Sequence, residues 1–438
     1  MNNQPVIKNL IDIAHQTNSY ILPNNSLFSL DTMKTLLNNN VAIIGTSGSN
    51  KTRSTIIPNI LSAVGSYIVS DPKGTLYKRY SKHMRNMGYR IVHLDFIHPL
   101  KSDHYNPLRY VHTSDDILRL SHQIIYTKSD RVGGSYDPFW DKSAEILLTA
   151  LIGYITENGE ECENNLSYIL RMLEKMNVDQ IERGIECELD KMFRRHSKKN
   201  GLLNIIEPSW AYQQYIKFRQ VPQKTLACII ATVQAAFATI DTKEIREMIS
   251  FDETAIRSIG KEPSIVFVEI SDTDRSKDFL ANIFYSQAMN ELCSYADDEC
   301  KNNQLDIPVR FILDDFGTNC RIAGFENMIS NIRSRGISAT IVLQSESQLE
   351  DGYGSGAHTI LDNCDTMLYM GGNDIITAEL IAKRANRPLQ EILTMPVKTN
   401  WLFRRGEKPK FSKTVDLSEY DFKLQTVEIW NQNAFNNI

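Results

Sequence analysis

The sequence has few cysteines, and their arrangement suits neither a disulfide framework nor a zinc site. Seven cysteines are scattered over 438 residues, form no C-x-x-C pair and are odd in number. Disulfide-rich secreted domains and zinc sites both need cysteines that are paired or regularly spaced. The nine histidines show no metal-type spacing either. The composition therefore excludes these two classes and indicates reduced thiols in a cytoplasmic protein.

The sequence also lacks an apolar run long enough to cross a bilayer. Its longest nearly apolar stretches, residues 144–155 and 226–240, are shorter than the roughly 20 residues that a spanning helix needs. The segment from Met1 to Pro5 contains no basic region followed by an apolar core, which excludes a secretory signal peptide. We therefore expect a protein that is soluble on its own.

The sequence has no excess of positive charge. It contains 48 lysines and arginines and 53 acidic residues, which give a net charge of −5. Any bound nucleic acid must therefore lie in a local groove or ring lining, because the surface as a whole is not basic. The short basic run at residues 194–199 could touch DNA, but such runs are more typical of solvated loops.

The most informative stretch that is present joins an apolar strand, residues 41–44, to a helical run, residues 53–61, through a loop of small residues. This order matches the phosphate-binding pattern G-x-x-x-x-G-K-[ST], whose backbone N–H groups wrap a phosphate chain. Lys51 would reach the β- and γ-phosphates, and the Thr52 hydroxyl would bind Mg²⁺. The alternative is a strand–helix turn with a chance lysine. The predicted nucleotide-binding residues are Gly45, Thr46, Ser47, Gly48, Ser49, Asn50, Lys51, Thr52 and Arg53.

One residue of this loop departs from the pattern, because Asn50 occupies the position of the last glycine. Asparagine tolerates the left-handed backbone region better than most residues do. If the loop needs a positive φ at this position, asparagine is therefore the least damaging replacement for glycine.

Strand and helix patterns alternate on both sides of a long helical stretch. Apolar strands are predicted at residues 67–70, 90–94, 264–268, 309–313, 338–343 and 366–370. Such alternation is typical of a parallel sheet, whose ligands lie at the carboxyl ends of the strands. From residue 113 to residue 250 the strand signals are absent. The predicted fold class is therefore α/β, with a mostly parallel sheet and an inserted all-α domain.

The same patterns divide the chain into four segments. Residues 1–40 are rich in asparagine and are interpreted as an arm that covers the core. Residues 41–113 and 251–438 are predicted to form the two parts of the nucleotide-binding domain. Residues 114–250 are predicted to form the helical insertion, which is large enough to be a domain of its own.

A second candidate element is the strand at residues 309–313, which ends in Asp314 and Asp315. A nucleotide hydrolase needs one carboxylate in the Mg²⁺ shell and another that aligns or deprotonates the attacking water. We assign Asp314 to the metal and Asp315 to the water, with a pair of turn acids as the alternative. Gln344 ends the next strand, where its amide could sense the γ-phosphate or orient water. Its alternative role is a buried amide satisfied by the backbone.

Two other groups of residues have open roles. Asp71 follows the strand at residues 67–70, but an aspartate before proline equally caps a helix or forms a turn. The transition state needs a positive group, and Arg333 and Arg335 are candidates for a finger supplied to a neighbouring subunit. An ordinary salt bridge is an equal alternative for each arginine. The rival arginines are Arg384, Arg404 and Arg405.

Several separate motifs occur in one order over roughly residues 41–405. They are Gly45 to Asn59, Ser70 to Gly74 with Leu76 and Tyr77, Tyr105 to Leu108, Asp137 to Trp140 with Lys142, Phe311 to Phe316, Arg333 to Ser338, Gln344 and Ser345 with Gln348 and Leu349, and Asn363 to Asn373. In this order they resemble the TraG/TraD-type coupling proteins of conjugative type IV secretion systems. That family lies within the FtsK/HerA branch of RecA-like motor ATPases.

The resemblance implies a RecA-like P-loop ATPase that uses ATP and Mg²⁺ and assembles into a homo-oligomeric ring, with a hexamer as the expected form. Relatives couple ATP turnover to the movement of single-stranded DNA and relaxase toward a secretion channel. We therefore expect single-stranded DNA, a relaxase and type IV secretion channel components as partners. The amino-terminal membrane anchor of the family is not seen, which implies a membrane-anchored partner and a cytoplasmic location at the inner face of the membrane.

Two residues depart from the family pattern. Asn50 replaces the loop glycine, which could slow or abolish hydrolysis. Asp315 stands where relatives usually have glutamate, so its shorter side chain must reach the water by other geometry. These departures motivate an alternative function, a weakly hydrolysing adaptor that binds nucleotide and recruits cargo. A related translocase for DNA segregation or packaging is a further alternative.

Overall fold

The computed structural model describes residues 10–126, 138–158, 164–195, 198–200, 205–238, 240–317 and 321–419. The predicted motif residue Asp137, the first nine residues of the predicted arm and the middle of the basic run, residues 196–197, lie outside these ranges. The chain forms two compact units. The first comprises Met1–His93, Ile256–Arg275 and Met289–Ile438, and the second comprises Leu94–Ala255 and Ser276–Ala288.

The strands of the described residues form one large sheet and two short hairpins. In chain order they are β1 (Ser19–Ile21), β2 (Leu27–Ser29), β3 (Val41–Ile44), β4 (Ser66–Ser70), β5 (Arg90–Asp95), β6 (Lys198–Asn200), β7 (Ile205–Glu207), β8 (Ser264–Glu269), β9 (Val309–Leu313), β10 (Ile337–Leu343), β11 (Thr366–Tyr369), β12 (Thr399–Arg404) and β13 (Lys410–Lys413).

The large sheet has nine strands in the order β13-β12-β11-β3-β10-β9-β4-β8-β5. The strands from β11 to β8 in this order pair in parallel. The strands β12 and β13 form an antiparallel hairpin at one edge. The predicted α/β fold with a mostly parallel sheet is therefore confirmed.

The central strands are mostly apolar, which is typical of a parallel sheet whose two faces are covered by helices. Every residue of β3, β4, β8, β9 and β10 is buried. The register places Ile44, the last residue of β3, beside Leu343 of β10 and Tyr369 of β11. The chain segments that follow these three strands therefore leave the sheet at the same edge.

The helices connect the strands and build most of the second unit. In chain order they are α1 (Leu10–Thr17), α2 (Thr32–Thr35), α3 (Ile57–Leu61), α4 (Thr75–Asn86), α5 (Ser114–Tyr126), α6 (Phe139–Asn158), α7 (Ser167–Glu174), α8 (Val178–Glu182), α9 (Glu188–Arg195), α10 (Trp210–Arg219), α11 (Gln223–Phe237), α12 (Lys243–Met248), α13 (Ile256–Ile259), α14 (Asp278–Glu299), α15 (Phe325–Met328), α16 (Glu346–Tyr353), α17 (Gly356–Asp362), α18 (Ile375–Ala385) and α19 (Leu389–Leu393).

Residues 10–40 pack on the helix that follows β3. The side chain of Asn59 exchanges hydrogen bonds with the backbone of Ile21, both at 2.8 Å. His15 Nδ1 lies 2.9 Å from the carbonyl oxygen of Ser62. The arm begins with α1 and continues into the hairpin β1–β2, whose connection contains Pro23. The strands of this hairpin have three residues each, too few to show a period of two in the sequence.

The second unit is organised around α6, which contacts α5, α10 and α11. Its residues 146–155 are largely apolar and buried, which leaves no polar face for solvent. At Gly153 the backbone of α6 approaches α10 so closely that a Cβ atom would lie 3.1 Å from the Ala211 Cβ. The prediction that strands are absent between residues 113 and 250 is wrong at one place, since β6 and β7 form an antiparallel hairpin.

Candidate functional site

The predicted phosphate loop, residues 45–51, is fixed at both sides by the neighbouring strand ends. The Gly45 amide donates to the Leu343 carbonyl at 3.1 Å, and the Thr46 amide donates to the Gly371 carbonyl at 3.0 Å. These bonds continue the pairing of β3 with β10 and β11 beyond the strand ends. The loop therefore begins in a fixed position at the carboxyl edge of the sheet, where ligands of parallel sheets bind.

Left-handed backbone conformations turn the loop back toward the helix. Gly48 has φ +80° and Asn50 has φ +72°. Asn50 therefore does adopt the positive φ for which asparagine is a tolerated replacement of glycine. Gly45 has a different reason to be glycine, because a Cβ there would lie 2.7 Å from Ser49 Oγ.

The loop leaves polar groups without partners. Among the described residues, the backbone amides of Gly48, Asn50 and Lys51 have no hydrogen-bond acceptor. In the same part of the chain, the Ser49 hydroxyl is buried and forms no hydrogen bond. Buried polar groups normally find partners, so a loop that leaves them open is suited to a ligand with several acceptor oxygens.

The Lys51 ammonium lies inside this loop. Its Nζ donates to the carbonyl oxygens of Gly45 at 2.5 Å and Thr46 at 2.9 Å. Only 9% of the residue is exposed. Burial lowers the pKa of Lys51, while the nearby carboxylates of Asp314 and Asp315 act to raise it. A bound polyphosphate would replace the two carbonyl groups as the partner of a buried cation.

Thr52 and Asp314 meet beside the loop, although they lie 262 positions apart in the chain. The Thr52 hydroxyl donates to Asp314 Oδ2 at 3.2 Å. Burial, and secondly the charge of Asp315, raises the pKa of Asp314 to about 6. A hydroxyl and a carboxylate next to a phosphate loop are hard oxygen ligands of the kind that Mg²⁺ prefers. The residues present therefore fit a magnesium ion.

Asp315 and Gln344 form a second contact at this edge of the sheet. Asp315 has φ +51°, and the Gln344 side-chain amide donates to its Oδ1 at 3.3 Å. The backbone amide of Gln344 donates to the Gln348 side chain at 2.9 Å, which ties it to the first turn of α16. The structure thus brings all of the predicted catalytic carboxylates and the amide to the phosphate-loop edge.

The predicted finger arginines lie elsewhere. Arg333 and Arg335 precede β10, whereas Gln344 follows it, so the length of a strand of seven residues separates them from the loop. Arg335 forms a two-point ion pair with Asp297, with contacts of 2.7–3.0 Å. Arg333 donates to the carbonyl oxygen of Thr32 at 3.3 Å. Neither of these contacts involves the phosphate loop.

The rival arginines and Asp71 have structural partners. Arg404 pairs with Glu407 at 2.9 Å, and Arg405 pairs with Asp365 at 2.9 Å. Asp71 accepts hydrogen bonds from the amides of Thr75 at 3.0 Å and Tyr77 at 2.9 Å. It therefore occupies the helix-capping role that is the alternative for this residue, at the start of α4. The third rival, Arg384, contacts Met367 Sδ at 3.1 Å.

Sequence reasoning missed Asp416, which lies after β13 and contacts the loop. Its Oδ2 accepts from the Asn50 side-chain amide at 3.1 Å, and its Oδ1 accepts from Arg53 Nη2 at 2.7 Å. No sequence motif identifies this aspartate, because it is distant from the loop in the sequence and contacts it only in the folded structure. Arg53, predicted to bind nucleotide, is thus paired with Asp416.

A family model described as type IV secretory system conjugative DNA transfer matches residues 6–387. The chain belongs to this family. The resemblance inferred from the motifs is therefore confirmed.

A relative of this chain is the conjugal transfer protein TraG of Rhizobium radiobacter, which is 22% identical over 355 residues. The match covers 79% of this chain and 52% of TraG, so the chain spans about half the length of the curated relatives it matches. No helix among the described residues combines the length and apolar character that crossing a membrane requires.

Solved structures of the coupling protein TrwB share the fold. The unbound form of TrwBΔN70 has a TM-score of 0.63 at 13% identity, over 93% of this chain and 90% of that chain. TrwB in complex with ADP and Mg²⁺ has a TM-score of 0.62 at 13% identity, over 93% of this chain and 92% of that chain. The predicted RecA-like core with a helical second domain is consistent with this shared architecture.

Proposed function

We propose that this chain is an ATP-driven coupling motor of conjugation. It recruits relaxase-bound single-stranded DNA and moves it to a type IV secretion channel. The observation that carries the proposal is the contact of the Thr52 hydroxyl with the Asp314 carboxylate beside a phosphate loop with open amides. Family membership supports the conjugative role, and the complex of TrwB with ADP and Mg²⁺ supports nucleotide and magnesium as ligands.

The residues of the loop divide the chemistry among them. The amides of Gly48, Asn50 and Lys51 and the Lys51 ammonium bind the β- and γ-phosphates, since these amides are the donors that the loop leaves open. Thr52 and Asp314 hold Mg²⁺, which when bound neutralises charge on the phosphate oxygens. Asp315 aligns or deprotonates the attacking water, and Gln344 fixes the Asp315 carboxylate.

The remaining assignments concern assembly. The chain acts in a homo-oligomeric ring of six, in which Arg333 or Arg335 completes the site of a neighbouring subunit. Their place far from their own phosphate loop supports a role in another subunit. Residues 41–113 and 251–438 form the nucleotide-binding domain, residues 1–40 cover it, and residues 114–250 form the inserted helical domain. A membrane-anchored partner holds the ring at the inner face of the membrane.

The decisive experiment measures ATP turnover with and without single-stranded DNA. The wild type should hydrolyse ATP, and DNA should stimulate it, whereas Lys51→Ala should lose nearly all turnover. Lys82→Ala, which removes an exposed lysine from α4, is the matched control and should behave as the wild type. Equal turnover in Lys51→Ala and the wild type would reject the site.

A second candidate function, the weakly hydrolysing adaptor, is favoured by one observation. The Asp315 carboxylate is held by Gln344 in a left-handed turn and is shorter than the glutamate of relatives. If this geometry limits hydrolysis, the double variant Asn50→Gly with Asp315→Glu should raise turnover sharply while nucleotide binding stays unchanged. Unchanged turnover in that variant would leave the motor as the better proposal.

A further inference from the structure

The segment after β13 places a carboxylate against the phosphate loop. Asp416 Oδ1 lies 2.7 Å from Arg53 Nη2, and its Oδ2 lies 3.2 Å from Arg53 Nε and 3.1 Å from Asn50 Nδ2. One carboxylate thus binds the planar edge of a guanidinium and an amide at the same time. Such two-point, charge-assisted bonds fix geometry better than a single bond does.

The carboxylate is itself held in place. Asp416 Oδ1 accepts from the backbone amide of Ser418 at 3.0 Å and from its hydroxyl at 2.7 Å. The amide of Val415 donates to the carbonyl oxygen of Pro23 at 2.7 Å, which anchors the preceding residue. The hydrogen bond from Arg53 is the first reason that the pKa of Asp416 lies well below its usual range. The group is therefore an ionised, oriented acceptor rather than a mobile surface acid.

The side-chain amide that Asp416 binds belongs to Asn50, the loop residue that departs from the phosphate-binding pattern. Asn50 has φ +72° and directly precedes Lys51. Glycine adopts this conformation without a steric penalty, whereas asparagine adopts it against one. A hydrogen bond to the Asn50 side chain is available only where the side chain exists. Asp416 therefore acts on the position at which this chain departs from the phosphate-loop pattern.

We propose that Asp416 is a positioning residue of the phosphate loop. Its carboxylate holds Asn50 in the left-handed conformation that the loop needs, so the amides of Asn50 and Lys51 face the ligand before it binds. The ligand is the nucleoside triphosphate of the proposed function, on which this inference rests. Glycine adopts the positive φ of the pattern because its backbone is unrestricted. In this chain the hydrogen bond from Asn50 to Asp416 stabilises the same backbone conformation before the ligand binds.

A competing role would act in the opposite direction. Asp416 could hold Arg53 away from the phosphates and place a negative charge near them. Removing the carboxylate would then free a cation for the nucleotide and tighten binding. The sign of the change in affinity separates the two roles, since loss of a positioning residue weakens binding.

The test is a double-mutant cycle on the full chain, with affinity for ATP measured by calorimetry. Asp416→Ala should weaken ATP binding about tenfold, the scale of coupling between residues in contact. In the Asn50→Gly background the same change should weaken ATP binding by less than about threefold, because glycine adopts the loop conformation without help from the carboxylate. Asp272→Ala, which removes a half-exposed carboxylate 3.9 Å from Lys73, is the matched control and should change nothing.

A purely structural role of Asp416 would give a different pattern, because glycine at position 50 would not rescue it. Equal weakening of ATP binding by Asp416→Ala in both backgrounds would overturn the proposal. Tighter binding, or no change, in Asp416→Ala would overturn it as well.

Unfolding experiments without nucleotide distinguish failure of this inference from failure of the proposed function. They use the wild type, Asp416→Ala, Asn50→Gly and the double variant. If Asp416 holds Asn50, Asp416→Ala should lower the unfolding midpoint more in the wild-type background than in the background that carries Asn50→Gly. Coupling in unfolding together with no ATP binding by the wild type would reject the nucleotide function while the contact stands. Absence of this coupling would reject the positioning role, whatever the ATP affinity is.

Discussion

The Thr52 hydroxyl lies 3.2 Å from Asp314 Oδ2, and 262 positions of the chain separate the two residues. The contact exists because β3 and β9 both pair with β10 in parallel, so the segments that follow β3 and β9 leave the sheet at one edge. A hydroxyl from the first and a carboxylate from the second then share one site. Two ligands contributed by distant segments make the site sensitive to either residue.

Loss of either ligand should abolish the magnesium dependence of the proposed activity. We expect Asp314→Asn and Thr52→Val each to reduce ATP turnover at least about a hundredfold, because metal charge stabilisation is worth several kcal/mol. The double variant should be little worse than the more damaging single variant, since the two residues act as a unit. Turnover over a range of Mg²⁺ concentrations measures this. Wild-type magnesium dependence in Asp314→Asn would remove Asp314 from the site, and Asp272→Asn serves as the control for loss of one carboxylate.

The close approach of Gly45 to Ser49 leads to a second prediction. A Cβ at position 45 would lie 2.7 Å from Ser49 Oγ and 3.1 Å from Met370 Cβ. Gly45→Ala should therefore displace the loop and weaken ATP binding about tenfold, because a misplacement of about 1 Å is costly at such a site. Binding measured by calorimetry should recover partly in Gly45→Ala with Ser49→Ala, where the hydroxyl is removed.

The matched control for this pair is Ser47→Ala, which removes an exposed hydroxyl from the same loop. It should bind ATP as the wild type does. Ser49→Ala alone measures the direct contribution of the buried hydroxyl. If the double variant binds no better than Gly45→Ala, the contact between positions 45 and 49 is not the cause.

Much of this site could be predicted because it is built from local patterns. The strand predicted at residues 309–313 has the correct bounds, since a short apolar run followed by two acids marks both its end and its edge. The positive φ at Asn50 meets the condition under which asparagine is a tolerated replacement for glycine in the loop. Such features depend on a few adjacent residues, and a single sequence contains all of them.

Other parts could not be predicted, because they depend on where distant segments meet. Asp416 binds Asn50 across 366 positions, and only the placement of the last hairpin brings it there. The pairing of Arg335 with Asp297 likewise depends on how α14 lies beside the start of β10. The hairpin β6–β7 could not be predicted because its strands have three residues each, too few for a period of two to emerge.

The burial of Asp71 leads to a prediction about stability and pH. Burial, together with the nearby charge of Glu269, raises the pKa of Asp71 from 3.8 to about 6. Below about pH 3 the carboxyl is largely protonated in both the folded and the unfolded chain. As the pH rises from about 4 to about 6, the unfolded chain ionises first, so the folded state loses stability, by up to about 3 kcal/mol.

Asp71→Asn removes this titration, so the free energy of unfolding should vary less between about pH 4.5 and about pH 7. The reduction in this variation should be up to about 3 kcal/mol. The variant also loses one of the two acceptors at the start of α4, so its stability should be lower at about pH 4.5. Urea unfolding across this pH range measures both effects. Asp272→Asn should keep the wild-type slope. Parallel curves for Asp71→Asn and the wild type would show that another group controls the slope.

Arg310 holds residues 10–40 against the sheet, and its removal should destabilise the first unit. Only 5% of this residue is exposed. Its Nη1 donates to the Asn39 carbonyl at 2.9 Å and to Thr340 Oγ1 at 3.2 Å, and its guanidinium lies 4.8 Å from the Tyr20 ring centre. Arg310→Ala leaves buried acceptors and a cavity, so we expect a loss of about 3 kcal/mol in the free energy of unfolding.

Arg310→Lys distinguishes geometry from charge, because a lysine keeps the charge but not the planar group that stacks on an aromatic ring. It should recover less than half of the loss in urea unfolding. Arg387→Ala is the control, since this arginine is 55% exposed and its distance to Glu391 is 3.9 Å. It should change the free energy of unfolding by less than about 0.5 kcal/mol. Full recovery of stability in Arg310→Lys would mean that the charge alone holds residues 10–40. Limited proteolysis should then cleave that segment faster in Arg310→Ala than in Arg310→Lys.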